Sequence, residues 1–271
     1  MSYEFRDLTK LSYGTIDDLP SESFIFNGRI LDEYLEGYRT ISVEGREQVK
    51  RNLNTITLNG DGEYLIDSRY PERDMVVKFW LEGNDTDEFN ERWHKLVGAL
   101  QGTKVPFQFL DEREITRYGT VTDINNEEPG RLNIQGSITI HMSDPWAYYP
   151  EQKLTGAEIV LNDSKIANDG FVPNAIAFTV TGAGTFKVEA LQPATNARIV
   201  GVDFTKSYPT GSKIYVDFKA GKVYLNGNKD ITSDLALSST LSNFRVHNLD
   251  KIVVTPNVVS DLSMAYNRRI I

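Results

Sequence analysis

Residues 132–142 read LNIQGSITIHM, and this stretch decides the fold of the first half of the chain. Gly136 replaces one member of an otherwise regular row of apolar residues, which comprises Leu132, Ile134, Ile138, Ile140 and Met142. Alternation with period two predicts a strand with one buried and one solvated face, which is typical of an antiparallel sheet. The glycine predicts a close crossing or a bulge.

Further strands are predicted around this one from β-branched and aromatic content. They are residues 24–26, 75–81, 105–110 and 116–124. The segment 116–124 is expected to pair with 132–142 across a polar turn at 125–130. Pro106 places its strand at an edge or at a strand start. Asn27-Gly28 predicts a tight hairpin turn after the strand 24–26.

One helix is predicted between the strands 75–81 and 105–110. Asp85 is a candidate N-cap and Glu88, three residues on, completes a capping-box pattern. Apolar residues then recur on one helical face: Phe89, Trp93, Leu96, Val97 and Leu100. Gly102 predicts the end of the helix. Because Trp93 lies at the centre of this face, we expect it to be buried against the sheet.

Short strands separated by turns fill the second half, and no segment there shows a helical period. The candidates are residues 177–180, 185–190, 198–204, 213–218, 222–225, 244–249 and 251–255. In the best hairpin, residues 214–225, Ile214, Val216 and Phe218 alternate inward, and Asn226-Gly227 follows as a second turn. The closing residues 263–269 predict a last edge strand. This pattern is typical of a β-sandwich.

The chain has 271 residues and a net charge of −9, which is unevenly distributed. Residues 1–150 hold 16 basic and 27 acidic residues, whereas residues 151–271 hold 13 and 11. This difference predicts two domains, 1–148 and 149–271, with the boundary in the proline-containing segment 143–153. The predicted fold class is therefore β-rich: an N-terminal α+β antiparallel sheet with one packed helix, followed by a β-sandwich.

Composition excludes several classes of function. An acidic chain is a poor general nucleic-acid binder, because phosphate binding needs an excess of basic residues. No cysteine is present, so disulfides, thiolate metal sites and thiol nucleophiles are excluded. The opening residues MSYEFRDLTK lack the apolar core of a secretory signal, and no uncharged stretch is long enough to span a membrane.

Motifs for catalysis or cofactor binding are weak throughout. His94, His141 and His247 lack metal-ligand spacing, and surface positions are expected for the first two. The acidic pairs Asp17-Asp18, Asp111-Glu112 and Glu127-Glu128 fall in predicted loops or strand ends, where solvated charge is the ordinary role. The pieces Gly60-Asp61-Gly62 and Gly182-Ala183-Gly184 lack a dinucleotide context and predict turns. We therefore expect no catalytic, metal or cofactor site.

Tyr215 and Tyr224 are the one candidate contact surface that the residues themselves predict. Both fall on the outward face of the hairpin 214–225, where they can lie side by side. Such a pair serves a protein interface or a sugar ring, and protein contact is favoured because tyrosine is a common interface residue.

The order of motifs over residues 20–150 resembles the distal tail proteins of siphophages. It begins with 24-FIFNG-28, the acid Asp32 and 43-VEGR-46, and continues with the strand MVVKFWLEG and the helix containing Trp93. It then runs through VPFQFLDEREITRYGTV and ends in the aspartate-proline-aromatic close 143-SDPW-146. The second half, with 168-NDG-170 and its sandwich pattern, is similar to the family's galectin-like or carbohydrate-module-like domain. The sugar-site pattern of galectins is not present.

This resemblance implies a structural protein of the virion and no enzyme. Such proteins are made in the bacterial host cytoplasm and form a hexameric ring at the tail tip. The ring joins the tail tube protein to a tail-tip or tail-associated protein. The sandwich domains anchor a receptor-binding or fibre protein, and DNA passes through the ring without specific binding. No cofactor or membrane partner is implied. A glycan-binding, lectin-like attachment protein is the main alternative, and an enzyme built on the sandwich is a third.

Overall fold

The computed structural model describes residues 19–129, 132–163 and 170–271. The chain is β-rich, as predicted, and forms two compact units, one ending at Ala147 and one spanning Tyr148–Ile270. The assignment of separate roles to domains 1–148 and 149–271 stays a prediction.

The first unit contains one large antiparallel sheet and a separate two-stranded ribbon. The large sheet has the strand order β2-β1-β7-β8-β9-β6-β3, and the ribbon is formed by β4 and β5. Its elements in chain order are β1 (Phe24–Phe26), β2 (Arg29–Ile30), α1 (Leu31–Tyr34), β3 (Tyr38–Glu44), β4 (Asn52–Thr57), β5 (Glu63–Arg69), β6 (Arg73–Glu82), α2 (Thr86–Ala99), β7 (Val105–Phe109), β8 (Arg117–Pro129) and β9 (Asn133–Met142).

Strand β9, the alternating stretch of the sequence, lies between β6 and β8. Gly136 faces Phe79 of β6, and a Cβ atom at Gly136 would lie 2.6 Å from the carbonyl oxygen of Asn125. The predicted close crossing is therefore confirmed. The predicted turn at 125–130 is wrong, because β8 runs on to Pro129 and accommodates its polar residues through two register shifts.

Helix α2 confirms the capping box but not the buried tryptophan. The Asp85 carboxylate accepts a hydrogen bond from the N–H of Glu88 at 2.8 Å, and the Glu88 carboxylate accepts from the N–H of Asn84. Leu96 is fully buried, whereas Trp93 is only half-buried at the margin of the core. The helix is rotated so that Arg92 takes the buried position and donates to the carbonyl of Glu82 at 2.7 Å.

Both edges of the large sheet are protected against further strand pairing. At one edge, β2 is only two residues long. At the other edge, the N–H of Thr40 in β3 donates to the Asp32 carboxylate at 2.7 Å, and the N–H of Val43 donates to the Glu22 carboxylate at 3.2 Å. Short strands and charged side chains at an edge are common means of preventing unwanted pairing.

The second unit is a β-sandwich with sheets of six and four strands. Their orders are β10-β19-β12-β15-β16-β17 and β11-β18-β13-β14. The strands in chain order are β10 (Ala147–Thr155), β11 (Ile159–Val160), β12 (Ala175–Val180), β13 (Lys187–Leu191), β14 (Arg198–Asp203), β15 (Lys213–Asp217), β16 (Lys222–Leu225), β17 (Lys229–Asp230), β18 (Lys251–Thr255) and β19 (Val259–Ile270).

The hairpin β15–β16 forms as predicted, with Ile214, Val216 and Phe218 buried. Two other expectations for this unit are wrong. The last strand, β19, is not an edge strand, because β10 covers its outer side. Residues 244–249 form no regular strand, since the Asp250 carboxylate accepts the N–H of His247 at 2.7 Å and holds the chain in a turn.

Candidate interaction surfaces

The ribbon of β4 and β5, here called the hairpin arm (residues 52–69), is the most exposed regular element of the first unit. It pairs with no other strand in the described part of the chain. Five apolar side chains of the arm are each more than half exposed: Leu53, Ile56, Tyr64, Leu65 and Ile66. A two-stranded hairpin alone in water is at best marginally stable. The arm therefore has the properties of an element that gains its stability from a partner.

Apolar residues stand on both faces of the hairpin arm. Ile56 pairs with Tyr64, so these two side chains share one face. Leu65 pairs with Thr55 on the opposite face, because successive residues of a strand point in opposite directions. Neither face lies against the core of the first unit, so a partner can contact the arm from either side.

The base of the hairpin arm is held by a chain of aromatic contacts. The Arg51 guanidinium lies 4.6 Å from the ring centroid of Tyr70 and also donates to the Tyr70 hydroxyl at 2.9 Å. Tyr70 meets Trp146 edge to face, with ring centroids 5.2 Å apart. The N–H of Trp146 donates to the Asp144 carboxylate at 3.2 Å. The aspartate-proline-aromatic close of the first half thus packs against the base of the arm.

Charge also distinguishes the hairpin arm from the rest of its unit. The arm with its two flanking residues on each side, residues 50–71, has three basic residues (Lys50, Arg51 and Arg69) and three acidic ones (Asp61, Glu63 and Asp67). Residues 1–150 as a whole hold 27 acidic against 16 basic residues. The arm is therefore a neutral, apolar projection from an acidic unit.

The acidic pair Asp111-Glu112 is occupied by arginines. The Arg46 guanidinium lies 3.0 Å from each of the two carboxylates, and Arg117 lies 2.7 Å from Glu112. Burial raises the pKa of Glu112, but hydrogen bonds and charge from Arg117 and Arg46 outweigh this effect and hold that pKa below its ordinary value. Arg46 and Arg117 also lie against the ring of Phe109. This pair therefore joins the segment that follows β7 to Arg46 and to the start of β8.

The other acidic pairs fall where the structure gives no account of them. Asp17-Asp18 lies outside the described residues, as do the side chains of Glu127-Glu128.

The histidines occupy three separate places. His94 is exposed on α2, His141 lies 2.8 Å from Asp74, and His247 lies 3.1 Å from Asp250. Within residues 19–129, 132–163 and 170–271, no group of three or more His, Asp or Glu residues is placed to hold a metal ion. No helix in those ranges has the length and apolar character to cross a membrane.

Tyr215 and Tyr224 are directly opposite each other across β15 and β16. Tyr215 is 43% exposed and Tyr224 is half-buried. The structure therefore brings the two predicted residues together, and their role as a contact surface stays a prediction.

The hairpin arm is absent from the sequence-based prediction, although its turn is present there. The turn Gly60-Asp61-Gly62 joins β4 to β5. The β-branched residues Thr55, Ile56 and Thr57 before that turn are the signal that could have indicated the first strand.

Comparison with known proteins agrees with this architecture. Residues 31–142, which lie in the first unit, match the family model described as the phage tail protein RIFT-related domain. Together with the fold, the match confirms the resemblance to siphophage distal tail proteins that the order of sequence motifs indicates. No curated protein matches the chain in sequence.

Among solved structures, the chain is similar to the Dit protein of phage SPP1, described as a paradigm of the hub adsorption apparatus in phages that infect Gram-positive bacteria. The TM-score is 0.74 at 17% identity, and the similarity covers 92% of this chain and 99% of that protein. At this identity the similarity establishes a shared fold. A chain of the activated baseplate of phage P2 is also similar, with a TM-score of 0.48 at 9% identity over 86% of this chain and 91% of that one.

Proposed function

We propose that this protein is a structural distal tail protein of a long, non-contractile-tailed phage, located at the tail tip of the virion. In this proposal six copies form a ring hub that joins the tail tube to the tip or baseplate. Two findings support it: the phage tail domain over residues 31–142, and the fold shared along nearly the whole chain with a phage hub protein.

The hairpin arm is the observation that carries the assembly part of the proposal. Its five exposed apolar side chains, together with its isolation from the other strands that the structure describes, call for a protein surface to cover them. We expect this surface to belong to a second copy of the chain, because the arm has no net charge. Because each first unit is strongly acidic, two copies repel each other, and a neutral arm is the element that can reach a neighbour with little repulsion.

The excess of acidic residues fits a ring that conducts DNA. Screening over about 8 Å at physiological salt limits repulsion between copies to close neighbours. Acidic side chains around a wide, solvated channel repel the phosphate backbone, so DNA slides through without specific binding. The sandwich units then project to hold a receptor-binding or fibre protein, while the ring contacts the tail tube protein and a tail-tip or tail-associated protein. The role is structural and involves no enzymatic step.

The mass of the full chain in solution tests this proposal. Native mass spectrometry and negative-stain images are expected to show six copies in a ring, with assembly favoured by raised salt because screening weakens acidic repulsion. A full chain that remains monomeric at a concentration of about 100 μM would contradict the hub, since Kd values of stable assemblies lie well below that.

A variant without the hairpin arm tests which element makes the contact. Asn52 and Arg69 are paired at the base, so residues 52–69 can be replaced by Gly-Gly without stretching the chain. The variant is expected to keep its far-ultraviolet circular dichroism and to remain a monomer. Hexamers of the armless variant would overturn the role of the arm. Separately, a structure of the ring whose channel is lined mainly by Lys and Arg would overturn the proposed route for DNA.

A further inference from the structure

A depression of about 760 Å³ opens on the outer face of the six-stranded sheet of the sandwich. Tyr215 and Tyr224 line it together with Ala177, Lys213, Asn226 and Asp261. It involves none of the residues of the hairpin arm and has no role in the proposed ring.

The two tyrosines form the aromatic part of this depression. They are opposite each other in adjacent antiparallel strands, where Cβ atoms lie about 4.5–5.5 Å apart, so the two rings are immediate neighbours. On the other side of Tyr215 the opposite residue in β12 is Ala177. Its methyl group is too small to cover the tyrosine ring, and Tyr215 remains 43% exposed.

Polar groups stand around these rings. The register between β12 and β19 shifts beside Phe178, so that two residues of β19, Asp261 and Leu262, lie opposite this one residue of β12. Asp261 has a φ of 55°, and bulges of this kind redirect a side chain from its regular position. The Asn226 side chain is fixed by a hydrogen bond of 2.8 Å from the N–H of Lys213. A carboxylate, an amide and an ammonium group therefore surround the two tyrosines.

Acidic groups outnumber basic ones around Tyr215. Burial raises the pKa of the Tyr215 hydroxyl, and the charges of Asp217 and Glu151 raise it further. Lys222, a cation of the neighbouring strand, is engaged by Asp230 at 3.4 Å. Lys213 is the one cation among the described lining residues, and the acidic groups of Asp217, Glu151 and Asp261 outnumber it. An anionic ligand would therefore meet a net negative charge here, which would not repel a neutral ligand.

We infer that this depression binds a neutral saccharide of one or a few residues. Sugar rings present apolar C–H faces that pack on aromatic rings and hydroxyl groups that bond to carboxylate, amide and ammonium groups. The volume lies within the range of about 300–1,000 Å³ that is typical of small-ligand sites. A stable protein interface needs about 800 Å² on each partner, which is far more than this depression presents.

Binding of defined oligosaccharides to the full chain tests the inference. The neutral probes are cellotetraose and chitotetraose, the anionic probe is tetragalacturonate, and the readouts are isothermal titration calorimetry and saturation-transfer NMR. At least one neutral probe is expected to bind saturably with a Kd of about 0.1–5 mM, and tetragalacturonate is expected to bind at least about tenfold more weakly.

Variants locate the binding. Tyr215→Ala and Tyr224→Ala are each expected to weaken binding by about tenfold, whereas Tyr215→Phe, which keeps the ring, weakens it by less than about threefold. Asp261→Gly removes the carboxylate at a left-handed position that glycine adopts freely, so it weakens binding without unfolding the chain. The matched control is Tyr118→Ala in the first unit, which removes a tyrosine of the same 43% exposure and is expected to leave binding unchanged.

Three results would each overturn the inference. They are the absence of binding of both neutral probes at about 10 mM, binding of tetragalacturonate as tight as that of the neutral probes, and equal loss of binding in Tyr118→Ala and Tyr215→Ala. Protection of the tyrosine pair by another tail protein, with no saccharide bound, would identify the surface as a protein interface. Because the inference does not rest on the ring, a monomeric chain that binds the probes would refute only the hub proposal.

Discussion

Replacing Ile56 and Tyr64 together by threonine removes the registered apolar pair from one face of the hairpin arm while keeping residues that favour strands. These side chains are 55% and 63% exposed in the single chain, so somewhat more than half of each remains to be covered in an assembly. Full burial of a large apolar side chain contributes about 1.5–3 kcal/mol. The pair should thus contribute about 2–3 kcal/mol to each contact between copies, and its loss should weaken that contact by about 30- to 150-fold.

Sedimentation velocity over a series of protein concentrations measures this effect as a shift in the midpoint of assembly. The matched control replaces Ile199 and Leu237, which are also exposed but lie in the sandwich, by threonine. We expect the control to assemble like the unaltered protein. An unchanged midpoint for the arm variant, or an equal shift in the control, would refute the reasoning that this face is covered by a neighbouring copy.

The remaining predictions concern stability. Leu96→Ala should lower the free energy of unfolding by about 2–5 kcal/mol, because Leu96 is fully buried. Trp93→Ala should lower it by less, because Trp93 is only half-buried. If urea denaturation gave the reverse order, it would contradict the observed rotation of α2. The fragment 148–271 should melt cooperatively as a monomeric β-protein by circular dichroism, and an unfolded or helical fragment would refute this. Burial raises the folded-state pKa of Asp32 above its ordinary value of 3.8, so protonation favours the folded chain. As the pH falls from neutral towards 3.8, the free energy of unfolding of the unaltered protein should therefore rise relative to that of Asp32→Asn. A relative fall would contradict a raised pKa.

Periodicity predicted the elements whose signal is local and strong. Strand β9, the capping box of α2 and the hairpin β15–β16 all follow from alternation, from capping residues and from turn residues that act within a few positions of one another. The pairing of Tyr215 with Tyr224 also follows, since a tight hairpin fixes its register.

Tertiary context decided the elements that the sequence did not predict correctly. The apolar residues of α2 do not determine the rotation of the helix about its axis to better than about one residue. The close approach of Arg92 to Gly37, which accompanies the observed rotation, is a long-range contact without a local sequence signal. The edge position of β19 was wrong because the covering strand β10 lies in the proline-containing boundary segment. The hairpin arm was missed because alternation of apolar and polar residues marks a strand with one buried face, whereas the arm is exposed on both faces.

The two protected edges of the large sheet bear on how many copies can associate. Exposed strand edges let chains add one after another without limit, which leads to fibres. Here the outermost strand on one side is two residues long, and the strand on the other side is bonded to carboxylates of its own chain. Growth through the edges of the large sheet is therefore blocked, so that association between copies is confined to other surfaces, such as the hairpin arm.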